Sequence, residues 1–184
     1  MLRWALLGLG LVGIIVLPAC ERCGRRDRAE LRAALVSYGE FADRALAKQA
    51  RFISIWQESL DQESIDDLRG AGVTRVLPAL DAYLEVLQAQ EPSAEELAGL
   101  HATLLDAWRQ FGARLEGYYD RVDSNNLTRR NAELEVAWVR LGARIVDHRR
   151  KLSALCDDVG LAYEGSLAVD LAPNTSLELP EAGH

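Results

Sequence analysis

From Leu31 to Val159 apolar residues recur at steps of three and four, and no useful stretch alternates apolar with polar at period two. An α-helix turns once in 3.6 residues and a strand flips every residue, so this spacing admits helices and excludes sheets. Four helices are expected. The first covers about 27 to 60, with a stripe through Leu31, Leu35, Tyr38, Ala42, Ala45, Phe52, Trp56 and Leu60 that Gln49 interrupts. The second covers about 63 to 90, using Ile65, Leu68, Val73, Val76, Leu80, Tyr83, Leu84 and Leu87. The third runs from about 94 to 122, and Ser93-Ala-Glu-Glu96 before it reads as a capping box. The fourth runs from about 125 to 159, after an Asp123-Ser124-Asn125 turn, and stops at Gly160, a residue suited to end a helix.

Short connections make successive helices antiparallel, so the expected fold is an all-α, up-down-up-down four-helix bundle over residues 27–160. The second helix is its weak member. Gly70, Gly72 and Pro78 fall inside it, and a proline removes a backbone hydrogen bond and kinks or splits a helix. Residues 161–184 carry acidic residues and two prolines without any Lys or Arg, and are expected to form a disordered acidic tail.

The beginning of the chain has a different texture. Arg3 is the only charge before Cys20, and residues 4–17 form an uncharged run of fourteen. A membrane-spanning helix needs roughly twenty apolar residues, so this run suits a cleaved leader better than an anchor. Leu17-Pro18-Ala19-Cys20 resembles the lipobox of bacterial lipoproteins, with Pro18 a departure from the residues usual at that position. The resemblance is confined to the leader. It implies removal of residues 1–19, lipidation of the Cys20 thiol by a diacylglyceryl group with acylation of the new amino terminus, and a short tether over 20–26. Two or more chains hold a protein stably to a bilayer where one does not. The chain is then expected outside the cytoplasm, on the cell envelope. Glu21, rather than Asp, after the cysteine favours the periplasmic face of the outer membrane in a Gram-negative cell. Five arginines between 20 and 32 can also meet anionic headgroups.

Without residues 1–19 the chain carries twenty basic and twenty-eight acidic side chains, a net charge of −8. Phosphate backbones need a basic face, so nucleic acid is not an expected partner. Cys20 and Cys23 form a CxxC without the histidine of a haem-attachment motif, and lipidation would consume Cys20. That leaves Cys23 and Cys156 as an even pair able to form one disulfide in an oxidising compartment.

No nucleophile motif, phosphate loop or HExxH occurs, and the Glu-x-x-His of di-iron bundles is absent, because Ala98 and Ile145 stand three before His101 and His148. The two histidines are nonetheless paired by counting. His101 lies 23 residues before Ser124 and His148 lies 24 after it. Antiparallel helices of equal rise bring both imidazoles to one level, with Tyr38 or Phe41 and Tyr83 around them. Such a pair can ligate a transition metal or haem iron, act as a pH switch, or pack as hydrogen-bonded core residues. No Cys, Met or Glu lies close enough in the pattern to complete a zinc site, so no cofactor is expected. Trp56, Trp108 and Trp138 fall one per helix on the stripes and read as core. The basic run from Asp147 to Lys151 near the end of the fourth helix suits its dipole. The expectation is a lipid-anchored, non-enzymatic interaction or structural module with an envelope protein as partner. The alternative is a metal- or haem-binding bundle that uses His101 and His148.

Overall fold

A computed structural model describes residues 21–163, with side chains from Asp27 onward. The leader, Cys20, the Cys23 side chain and residues 164–184 lie outside the described residues. The described chain is a helical bundle without strands. Its elements are α1 (Glu21–Leu60), α2 (Ile65–Ala71), a π-helical turn (Gly72–Val76), α3 (Leu77–Gln88), α4 (Glu95–Arg121) and α5 (Leu127–Asp158). None of these helices is long and apolar enough to cross a membrane. α1 pairs with α3, α3 with α4, and α4 with α5, while α1 and α5 touch only sparsely.

The stripes predicted from spacing face inward. Leu35, Tyr38, Phe52, Trp56 and Leu60 of α1 are buried, as are Leu97, Trp108, Phe111 and Leu115 of α4 and Leu134, Trp138, Leu141 and Leu152 of α5. Gln49 does not break the α1 stripe but lies buried on it, and its Oε1 accepts a hydrogen bond from the Tyr83 hydroxyl at 3.4 Å. The three tryptophans meet in a central aromatic nucleus. Trp56 crosses Trp138 edge to face at 4.8 Å and Trp108 meets Tyr83 in the same way at 4.8 Å. Phe111 bridges Trp56 and Trp138, at 5.4 and 5.3 Å. Edge-to-face pairs of this kind add stabilisation beyond their buried area.

The helix ends correct two expectations. The Ser93 capping box does not form: Ala94 is the N-cap of α4, without a side-chain bond, and Glu95 and Glu96 occupy the first turn, where the helix dipole favours negative charge. The side-chain cap belongs to Ser64 instead, whose hydroxyl oxygen accepts the Asp67 amide at 3.1 Å at the start of α2. The predicted second helix is divided. Its break is the π-helical turn immediately before Pro78, closed by the Leu77 amide bonding the Gly72 carbonyl five residues back. Pro78 then sits in the first turn of α3, where its missing donor is tolerated. Gly72 is buried against the ring of Tyr119, and a Cβ there would overlap that ring.

The expected turn between α4 and α5 is built by Asp123, whose carboxylate accepts the amides of Asn125 and Asn126 at 2.8 and 3.1 Å. Two residues past the end of α5 lies Gly160, in the left-handed region at φ +64°. The Leu161 amide returns to the Cys156 carbonyl and the Gly160 amide to that of Asp157, a Schellman closure. The packed chain continues past it, since Leu161 and Tyr163 lie against the core. Arg32 donates to the Val159 carbonyl at 3.3 Å, which brings the end of α5 beside the early turns of α1.

Candidate functional site: a buried histidine–tyrosine layer

Four helices contribute to one polar layer inside an otherwise apolar core. α1 supplies Tyr38, α3 the Leu87 carbonyl, α4 His101 and α5 His148. Both imidazoles are buried. The Tyr38 ring lies 5.7 Å from that of His101 and 6.5 Å from that of His148, and Phe41 meets His101 edge-on at 5.4 Å. The structure therefore brings together the two histidines, Tyr38 and Phe41, as equal rise about the Ser124 turn predicts, with Tyr83 alongside.

The protonation of His101 follows from its partners. Its Nε2 lies 2.8 Å from the Leu87 carbonyl oxygen, which can only accept, so Nε2 carries the proton. Nδ1 is then an acceptor, and the Tyr38 hydroxyl donates to it at 3.0 Å. Burial pushes the imidazole below its usual pKa, against the opposing pull of the Leu87 carbonyl. The same burial raises the Tyr38 phenol, so it stays a donor at any physiological pH. Both ring nitrogens of His101 are thus committed, and ligating a metal through either would break an existing bond.

His148 differs. Burial depresses its pKa to about 4; the Leu100 carbonyl opposes this and neighbouring His101 adds to it. The ring is neutral at pH 7, and among the described residues its Nδ1 has no hydrogen-bond partner. His148 lines a cavity of about 90 Å³ beneath the α1–α5 seam, together with Tyr38, Gln49, Tyr83, Trp108 and Leu152. The void follows from sequence: Ala42 and Ala45 line it from α1, where larger side chains would fill the gap to α5. A space of that size, lined mostly by apolar side chains but also by Gln49, Arg149 and two tyrosines, suits a few waters. Among the described residues no three His, Cys, Asp or Glu side chains converge as metal ligands.

Cys156 is fully buried near the end of α5, and burial raises its thiol pKa. Its proposed partner, Cys23, has its side chain outside the described residues, and the lipidation site Cys20 lies there entirely. Within the basic run at the end of α5, Asp147 holds Arg150 at 2.6 Å and Lys151 at 2.7 Å, and the run keeps two positive charges in excess. Spacing alone did not reveal the role of Gln49, because a polar residue on an apolar stripe announces itself only through its partner, Tyr83.

Replacing Tyr38 with Phe keeps the ring and removes the donor to His101. A buried acceptor left unpaired costs about 1–3 kcal/mol, so Tyr38→Phe is expected to lower unfolding stability by about 2 kcal/mol in a urea titration. An unchanged midpoint would contradict the bond.

Comparison with family profiles, curated proteins and solved structures finds nothing that this chain matches.

Proposed function

We propose that the chain is a lipid-anchored protein of the bacterial cell envelope, held outside the cytoplasm. Its helices, arranged up-down-up-down, form a non-enzymatic interaction or structural module. The observation that carries this reading is Leu17-Pro18-Ala19-Cys20, placed after a single basic residue and a short uncharged run. One further feature of the sequence agrees with it. Five arginines between residues 20 and 32 follow that cysteine closely in the sequence, and each basic residue near an anionic surface contributes about 1 kcal/mol. The partners in this reading are the membrane, through the acyl chains, and another envelope protein. The periplasmic face of the outer membrane is the favoured address in a Gram-negative cell.

Cys20→Ala tests it. The variant is expected to keep residues 1–19, to lack acyl mass on its N-terminal peptide, and to accumulate as precursor. Intact mass spectrometry of the full chain and its variant decides the matter. An acylated, processed variant, or an unmodified thiol on the mature native chain, ends the reading.

A further inference from the structure

The outward face of α5 carries a second apolar stripe, separate from the one that enters the core. Ala132, Val136, Val139, Ala143 and Val146 follow one another at steps of four, three, four and three, and all are exposed. Val136, Val139 and Val146 are 49, 64 and 54 % exposed, and among the described residues only Val36 and Val73 are other large apolar side chains left so open. The core of this helix runs through Leu134, Trp138, Leu141 and Ile145. At 100° per residue the outer stripe lies on the opposite side. A four-three repeat is the seam of a two-stranded coiled coil, in which each apolar knob meets its counterpart on the facing helix.

We propose that this face of α5 pairs with α5 of a second copy, parallel and in register, about a two-fold axis along the helices. The direction rests on the anchored reading above. The Arg32–Val159 bond holds the end of α5 beside the early turns of α1, so two copies anchored through Cys20 present α5 in the same direction. Charge agrees with that direction. In a parallel pair a residue just before one knob faces the residue five later on the partner, which sets Glu135 against Arg140 of the other copy, twice by symmetry. Among the described residues neither side chain has an ion-pair partner shown within its own chain. An antiparallel pair would instead set Arg140 against itself and Glu133 against Asp147, both repulsive, and Glu135 against Arg149 as its one attractive pair.

The seam is short. Fifteen residues span about 22 Å, less than a standard stable interface needs. Pairing is therefore weak in dilute solution and favoured where anchoring confines copies to one surface and raises their effective concentration.

The test uses the full chain in its membrane. Val139→Cys and Val146→Cys, each oxidised in place, are expected to give a dimer whose linked peptides carry the same substituted position twice. Val36→Cys, 49 % exposed on α1, is expected to link at least fivefold less. Glu135→Arg is expected to reduce linking at position 139 several-fold, and Glu135→Arg with Arg140→Glu to restore it. No dimer at either α5 position, equal linking through position 36, or preferential linking of Val136→Cys to Val146→Cys in mixed copies overturns the proposal. Membrane fractionation of the same samples reports anchoring independently. In-register dimers from an unanchored chain would defeat the anchor and leave the pairing standing.

Discussion

Gly72→Ala is expected to cost about 3 kcal/mol, the upper part of the range for forcing extra volume into a packed core. In a domain of this size that lowers the melting temperature by roughly 6–12 °C. Gly72 is buried in the π-helical turn, and an added methyl would overlap the Tyr119 ring. The ring cannot simply swing aside. Tyr119 is 1 % exposed, its hydroxyl meets Ser59 Oγ at 3.3 Å, and its ring meets Tyr118 edge to face at 5.3 Å. Its own carbonyl accepts from Arg69 at 3.1 Å, which fixes the end of α4. The cause can be isolated by changing its sign. In a Tyr119→Ala background the clash is gone, and Gly72→Ala should become neutral or stabilising by about 0.5–1 kcal/mol, the ordinary helix advantage of Ala over Gly. Thermal melts of the four proteins of this cycle measure it. A cost that persists without the Tyr119 ring would place the origin elsewhere.

The second large effect is a dependence on pH. His148 has a folded-state pKa near 4, against about 6.5 when unfolded. Above pH 6.5 the ring is neutral in both states and its contribution is complete. Between 6.5 and about 4 the unfolded chain takes up a proton that the folded chain refuses, so stability falls with acidification and levels off below 4. The shift corresponds to about 3 kcal/mol across that window. His101 shifts in the same direction and adds to the loss. Carboxylates also titrate in this range, so the difference from a His148→Gln variant is the informative quantity, because shared groups cancel. That difference should move by about 3 kcal/mol between pH 7 and pH 4 in urea titrations. A difference flat in pH would refute a buried neutral imidazole.

The histidine layer was legible because the information it needs is arithmetic. Straight helices with equal rise around a short turn conserve level, and Asp123 holds that turn close to the expected residues. Contacts between distant positions were not legible. Nothing local in Gly72 announces the ring of Tyr119, 47 residues away, and nothing in the Ser93 motif tells it from the Ser64 cap that forms. The outer stripe of α5 was visible in the spacing, but the inward stripe on the same helix satisfies the periodic signal first. Only exposure separates the two.

Leu68, Gly72, Val76 and Leu80 are all buried at a constant interval of four. On an ordinary helix each such step overshoots a full revolution by about 40°, so three steps would carry Leu80 some 120° out of alignment. The wider turn from Gly72 to Val76 advances less per residue and takes up this slippage, as a vernier does. Its irregular pitch is therefore what makes one straight seam out of a sequence whose count does not fit a regular coil. Deleting a single residue within it would restore an ordinary α turn and leave α3 facing nearly the same way, because the wide turn is what one surplus residue in a helix produces.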